Sequence, residues 1–209
     1  MCHICDEHYN INLTNLHCVN CSKITVIPDT LINLTMLRLF DCPLLTKIPD
    51  TFIHLTQLDY SGYRINSLKL IKIPNTLINL TRLTIHSELI TDIPDTFIRL
   101  IQLNCCFNPS LINIPDTFIN LIELYCRDCP LIDNIPNTFI NLIKLYCSSC
   151  PKVKEIPNTF SDLIELDCRF CPLITNIPDS LINLSWLLCT KCPIKYIPDT
   201  LINLIYLNC

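Results

Sequence analysis

The feature that most constrains this chain is an Ile-Pro pair that recurs at a nearly constant interval. The prolines of these pairs are Pro28, Pro49, Pro74, Pro94, Pro115, Pro136, Pro157, Pro178 and Pro198. Their successive spacings are 21, 25, 20, 21, 21, 21, 21 and 20 residues, and the other six of the 15 prolines all follow a shared Cys or Asn position. A fixed period of this length indicates a repeat architecture, in which each unit stacks on its neighbours.

Three positions of the repeat are copied most faithfully. If the first leucine of each copy is position 1, then position 4 is always Leu, position 6 is apolar, aromatic or Cys, and position 9 is usually Cys. The copies begin at residues 13, 34, 55, 80, 100, 121, 142, 163 and 184, with a partial copy at 204. We therefore divide the chain into a short N-terminal cap segment, residues 1–12, and a repeat domain, residues 13–209.

The residues that recur from repeat to repeat also predict local structure. Apolar positions 4 and 6 alternate with polar positions 3 and 5, which is the pattern of a short strand with one buried face. Proline at position 10 has no N–H group and ends the strand, while Ile135 before Pro136 is held extended. Asp116-Thr117 and its counterparts can cap a single helical or 3₁₀ turn. Stacked strands ~4.8 Å apart would form one parallel sheet.

The full pattern, Leu-x-x-Leu-x-Leu/Cys-x-x-Cys/Asn-x-x-Leu-x-x-Ile-Pro, resembles a leucine-rich repeat over residues 13–209. Its second half is similar to repeats of plant disease-resistance receptors, and its Ile- and Asn-rich composition resembles that of repeat proteins of giant DNA viruses. The resemblance implies an α/β-type solenoid, a curved right-handed coil with a concave parallel β-sheet of about ten short strands. Short 3₁₀ or one-turn helical segments are expected on the convex side.

Sixteen cysteines include six Cys-x-x-Cys pairs, and 13 of the 16 fall at positions 6 and 9. We interpret these as small buried core residues, since free cysteine is among the most buried residue types. A cysteine at position 9 can also take the place of an Asn that would hydrogen-bond the backbone of the turn. The alternative is a zinc-binding cap, because Cys2, Cys5, Cys18 and Cys21 have the spacing of a zinc ribbon. Redox chemistry is disfavoured, since no helix N-terminus is predicted beside these pairs.

Several classes of function find no support in the composition. The net charge is −4 without a basic cluster, which argues against a nucleic-acid surface. No apolar run approaches the ~20 residues of a membrane span, and the N-terminus has no secretory signal. We expect reduced thiols and an intracellular, cytoplasmic protein (in the host cytoplasm if it is viral). The five histidines form no catalytic constellation and one glycine cannot make a phosphate loop, so we predict no enzyme and no cofactor.

Residues at positions 3, 5, 7 and 8 vary while their neighbours are copied. The resemblance implies that they form the concave ligand face, and the alternation independently turns them outward. Aromatic and Arg residues, which are enriched at binding hot spots, concentrate in the C-terminal half. We predict a protein-binding surface, although unconstrained drift would also produce variation; an alternative role is substrate recognition for a ubiquitin ligase assembled with other proteins. The predicted surface comprises Phe107, Glu123, Tyr125, Arg127, Asp128, Lys144, Tyr146, Glu165, Asp167, Arg169, Phe170, Trp186 and Tyr206.

Two irregularities interrupt the pattern. The copy at 55–79 has 25 residues and contains the only glycine, which predicts a bulge or protruding loop, arising either from drift or from a binding role. At the other irregular place, Cys209 directly follows the last predicted strand. An unpaired apolar edge there would favour self-association or a partner, and a truncated reading frame is the alternative.

Overall fold

The computed structural model of the protein describes residues 10–62 and 69–209. Each repeat contributes one short strand, formed where apolar and polar residues alternate. The strands are β1 (Asn15–Val19), β2 (Met36–Phe40), β3 (Gln57–Ser61), β4 (Arg82–Ile85), β5 (Gln102–Asn104), β6 (Glu123–Tyr125), β7 (Lys144–Tyr146), β8 (Glu165–Asp167), β9 (Trp186–Leu188) and β10 (Tyr206–Asn208).

All ten strands belong to one parallel sheet in the order of the sequence, from β1 to β10. The register aligns equal repeat positions, so that Leu124 pairs with Leu145 and Leu145 pairs with Leu166. The ladder extends beyond the strands, because the N–H of Cys126 donates to the carbonyl of Tyr146 at 2.8 Å. This arrangement confirms the predicted parallel-sheet solenoid.

The core is a continuous stack behind this sheet. In the copies that begin at residues 34 to 184, the leucines at positions 1 and 4, such as Leu121 and Leu124, are buried, and so is the cysteine or larger residue at position 6. In five repeats, a phenylalanine three residues after the Ile-Pro proline closes the core on the side away from the sheet. Because every repeat offers the same apolar residues to its neighbours, each buries its faces only by stacking. The five are Phe52, Phe97, Phe118, Phe139 and Phe160.

The segments opposite the sheet are turns and not the expected short helices. Across residues 10–62 and 69–209 the secondary structure is strand, turn or bend, and none of it forms a helix long and apolar enough to cross a bilayer. Single bonds such as Leu121 N–H to the carbonyl of Phe118 (3.0 Å) tighten these turns. The polar side chains that predicted helix caps bond the preceding repeat instead: Thr117 donates to the carbonyl of Asp95 at 2.6 Å. Each turn is too short to offset the cost of nucleating a helix.

The 25-residue repeat is anchored by Tyr60, which occupies the place of the position-6 cysteine and is fully buried. Its hydroxyl donates to the carbonyl of Leu45 (3.2 Å) and accepts the N–H groups of Lys69 (2.9 Å) and Leu70 (3.2 Å). Burial raises the pKa of Tyr60 to about 12, so the phenol stays protonated. A Cβ atom at Gly62 would clash with the Asp41 carboxylate, so a larger residue there would require that side chain to move. The predicted loop lies mainly in 63–68, outside the described residues.

Candidate partner-binding face

The solvent side of the sheet carries most of the variable residues, and we call it the variable face: the side chains at positions 3 and 5 of β1–β10. The alternation predicted from the sequence holds in the centre of the sheet. In β6, Leu124 is buried while Glu123 and Tyr125 on either side are partly exposed. The same inward and outward pattern recurs in β5 and β7, so the sheet holds these outward side chains in rows about 4.8 Å apart.

Two stacked tyrosines form the middle of this face. The rings of Tyr125 and Tyr146 lie 5.0 Å apart at an interplanar angle of 22°. Their hydroxyls donate to carboxylates, Tyr125 to Glu123 at 3.1 Å and Tyr146 to Glu165. Burial, reinforced by Glu123, raises the pKa of Tyr125 to about 12, and burial together with Glu165 also raises the pKa of Tyr146. Both phenols are therefore neutral at physiological pH and present a flat apolar surface with fixed edges.

Two ion pairs lie near the stacked rings of Tyr125 and Tyr146. Lys144 lies 3.1 Å from Glu165, beside the tyrosine pair. Arg169 binds Asp167 through two parallel bonds of 2.8 and 2.7 Å, and Asp167 is only 4% exposed. The hydrogen bonds to Asp167 raise the pKa of Arg169. A two-pronged pair of this kind fixes the guanidinium in one orientation, so Arg169 is presented rigidly.

The face extends to Trp186 and Tyr206 in the last two strands. Their rings meet edge to face with centroids 5.5 Å apart, and the residues are 42% and 49% exposed. Large aromatic surface that the fold leaves in water is typical of residues that anchor a partner. These two residues form a second aromatic group, and β8 with its Asp167, which binds Arg169, lies between them and the tyrosine stack.

Positions 7 and 8 continue from the end of each strand and form an edge row along the variable face. Arg127 stacks on the ring of Phe107 at 5.7 Å and pairs with Asp128 at 2.9 Å. The Phe107 ring also packs edge to face on His86, with ring centroids 6.0 Å apart. Burial of the His86 ring lowers the pKa of this histidine, and Asn104 and Asp59 oppose that shift. His86 belongs to this group although the sequence interpretation left it out.

The sequence did not reveal that position 8 has a left-handed backbone. Seven residues at this position have φ between 51° and 67°, and among them are Phe107 (59°) and Phe170 (58°). This conformation reverses the in–out alternation, so that the residue at position 9 turns back into the core. It costs about 1–2 kcal/mol for most residues and less for Asn or Asp. The Asn, Asp and Ser at Asn20, Asp41, Asp128 and Ser149 were the available signal.

The position-9 cysteines form a ladder that reaches between repeats. Cys150 donates its thiol to the carbonyl of Cys126, 24 residues earlier, at 3.0 Å. The thiols of the two residues also contact each other, and this hydrogen bond together with burial raises the pKa of Cys126. Asn108 holds the same place and donates to the carbonyls of Ile85 and Cys105, both at 2.8 Å. The close thiol pair thus joins Cys126 to Cys150 and not to Cys129 of its own Cys-x-x-Cys.

Replacing Cys150 by alanine is expected to lower the free energy of unfolding by about 1–3 kcal/mol, because the buried carbonyl of Cys126 loses its donor. Cys150→Ser keeps a donor of similar shape and should recover part of that loss. Urea unfolding followed by circular dichroism measures the difference. Equal stability of the alanine and serine variants would contradict the role of the thiol as a donor.

The zinc alternative is not tested by the described residues. Cys2 and Cys5 lie outside them, whereas Cys18 and Cys21 are buried at positions 6 and 9 of the first repeat. In the part of the chain that the structure describes, no three His, Cys, Asp or Glu side chains are grouped closely enough to hold a metal ion. A cap that used Cys18 and Cys21 would have to draw both out of the core.

Cys106 is the one cysteine beyond the N-terminus that falls outside positions 6 and 9, and it lies in the edge row. Burial raises the pKa of Cys106 to about 12, an effect only partly opposed by the backbone of Arg127. A cysteine nucleophile reacts as its thiolate. At neutral pH Cys106 is protonated, so its surroundings do not activate it for catalysis.

A family model described as Leucine Rich Repeat matches residues 33–55 and 120–142. The functional domain of InlJ from Listeria monocytogenes, which includes a cysteine ladder, aligns with a TM-score of 0.76 and 24% identity over 88% of this chain and 41% of that one. A leucine-rich repeat protein of Leptospira interrogans aligns with a TM-score of 0.64 and 20% identity over 95% of this chain and 60% of that one.

The Arabidopsis receptor kinase HAESA, in complex with the peptide hormone IDA and the co-receptor SERK1, aligns with a TM-score of 0.67 and 22% identity over 93% of this chain and 37% of that one. This chain therefore spans less than two thirds of each of these three structures. No curated protein matches the sequence. At these identities the likeness shows the fold.

Proposed function

Because this chain is a leucine-rich repeat protein by fold, we propose that it is a non-enzymatic interaction module that binds a protein partner on its variable face. The observation that carries the proposal is the contrast between a copied scaffold and an uncopied surface. Leu124 and Leu145 are repeated in every unit, whereas the outward residues beside them differ from strand to strand. Variation on a solvent-exposed face beside a copied core is what a display surface requires.

The chemistry of the face supports the same function. Tyr, Trp and Arg are the residues enriched at the energetic centres of protein interfaces. Here the Tyr125–Tyr146 stack and the Trp186–Tyr206 pair lie on either side of an arginine held by a buried carboxylate. Because these side chains already contact one another, little rotamer freedom is lost when a partner binds. The HAESA structure, in complex with a peptide hormone, is an example of a related fold that binds a polypeptide.

The test is affinity capture from the native cell followed by mass spectrometry. A variant carrying Tyr146→Ala, Arg169→Ala and Trp186→Ala is expected to retain the captured partner at least ~30-fold less well, since hot-spot truncations cost about 2 kcal/mol or more. A second variant with only Tyr146→Ala and Trp186→Ala keeps the Arg169–Asp167 pair, so that binding loss is separated from loss of folding.

The matched control places three alanines on the turns opposite the sheet, at Asp116, Ile119 and Lys154, which are exposed. This control should capture the partner as the unmodified protein does. Undiminished capture by both variable-face variants would reject the proposed surface. Equal loss in the control would show that the partner binds elsewhere on the solenoid.

A further inference from the structure

Two phenylalanines occupy a backbone conformation that suits them poorly. Phe107 and Phe170 both lie at position 8, with φ of 59° and 58°. Four other repeats place Asn, Asp or Ser there, and Asn and Asp tolerate the left-handed region far better than Phe does. The position therefore does not need an aromatic side chain for folding.

Packing within the chain does not account for Phe170. The residue is 53% exposed, and it is not part of the hydrophobic core. Phe107 is also outside the core and lies at the surface between Arg127 and His86. Strained backbone conformations cluster at ligand-binding sites, and an exposed apolar side chain is a second feature of such sites.

The distance between the two phenylalanines is set by the sheet. Backbone hydrogen bonds keep the edge row in register. The N–H of Phe107 donates to the carbonyl of Arg127 (2.8 Å), and the N–H of Ser149 donates to the carbonyl of Arg169 (2.8 Å). Phe107 and Phe170 are three repeats apart, which at ~4.8 Å a strand is about 14 Å. An extended polypeptide advances ~3.4 Å a residue, so residues i and i+4 are also about 14 Å apart and point to the same side.

Polar side chains lie in the repeats between the phenylalanines, where Asp128 and Ser149 hold position 8, and beside Phe170, which Arg169 precedes. Arg127 uses its Nε to bind Asp128 and keeps its two terminal nitrogens on an exposed side chain. Arg169 binds Asp167 through Nε and one terminal nitrogen, which leaves the other available. An intervening residue that accepts hydrogen bonds therefore suits this stretch better than an apolar one.

We propose that Phe107 and Phe170 are paired anchors that bind an extended polypeptide segment carrying apolar side chains at i and i+4 and a hydrogen-bond acceptor at i+2. This inference rests on the proposed binding function and names the class of partner. The segment runs along the edge row, across the ends of the strands, with one apolar side chain against each ring. Arg127 and Arg169 meet the polar residue between them.

The experiment selects a displayed library of random 12-residue peptides on the full chain and measures the enriched peptides by fluorescence anisotropy. Enriched sequences are expected to share two apolar residues four apart. The variant with both Phe107→Asn and Phe170→Asn should bind these peptides at least ~30-fold more weakly. Phe170→Asn alone should raise the Tm by about 2–4 °C, because it relieves the backbone without uncovering core.

Lys191→Asn is the matched control, since Lys191 has the same backbone conformation (φ 67°) without an aromatic ring. It should raise the Tm in the same way and leave peptide affinity unchanged. A gain in stability joined to a loss of affinity at Phe170 alone is an outcome that a structural role does not produce.

Three results would overturn the inference. One is an enriched peptide set without the four-residue spacing. Another is a set bound equally by the double variant but lost on Tyr146→Ala with Trp186→Ala, which would leave the proposed function standing. The third is a library that yields no peptide with affinity for the folded chain; cellular capture then decides the proposed function separately.

Discussion

Replacement of Phe139 by alanine is expected to lower the free energy of unfolding by about 3–5 kcal/mol, the usual range for truncating a fully buried phenylalanine. The ring is 0% exposed and lies between repeats that place Phe118 and Phe160 at the same position. Its loss removes apolar burial and leaves a cavity that two neighbouring repeats share. Urea unfolding followed by far-ultraviolet circular dichroism measures the change.

Phe139→Leu is the matched control, because Leu77 and Leu181 already fill this position in other repeats and are fully buried. Its cost should stay well below that of alanine. If alanine and leucine were equally tolerated, Phe139 could not be a closely packed part of the core.

Tyr60→Phe removes only one oxygen atom, yet it is expected to lower the free energy of unfolding by about 2–4 kcal/mol. The hydroxyl donates to the carbonyl of Leu45 and accepts hydrogen bonds from the N–H groups of Lys69 and Leu70. Phenylalanine fills the same space but leaves these backbone groups without a partner, at about 1–3 kcal/mol for each one that stays buried. Chemical unfolding gives the total, and hydrogen exchange at Lys69 and Leu70 localises it.

The control for this change is Tyr196→Phe. Tyr196 is 63% exposed, so losing its hydroxyl should change stability by no more than about 0.5 kcal/mol. Unaltered exchange at Lys69 and Leu70 in Tyr60→Phe would show that the hydroxyl does not hold the long repeat in place.

The sequence predicts most of the fold because one period controls it. Leu124 and Cys126 alternate with Tyr125, and this pattern fixes which face is buried and hence the register of every strand. The expected helical turns did not form, since capping residues such as Thr117 bond the preceding repeat. The left-handed position was also missed, because phenylalanine and lysine at Phe107, Phe170 and Lys191 hide the preference that Asn and Asp elsewhere express.

The candidate site was predictable as a set of residues but not as a set of contacts. Period two places Tyr125 and Tyr146 outward on adjacent strands, and the parallel register puts them side by side. Whether their rings stack, and whether Arg169 turns to Asp167 or towards solvent, depends on rotamers and burial that no spacing in the sequence encodes. His86 was overlooked for the same reason, since its contact with Phe107 crosses between repeats.

The bonds that side chains of the turns and of position 9 make to the backbone of a neighbouring repeat run in one direction. The side chains of Thr138, Asn141 and Cys150 donate to the backbone carbonyls of Asp116, Ile119 and Cys126, respectively. Side chains of each repeat thus donate hydrogen bonds to carbonyl groups of the repeat before it. The donor and the acceptor recur at the same positions in almost every copy. A whole unit can therefore be removed or duplicated, and the two new neighbours already carry matching donors and acceptors. Recombination between copies of the repeat in the gene can therefore lengthen or shorten the variable face in steps of about 21 residues. No new contact between repeats has to evolve for this.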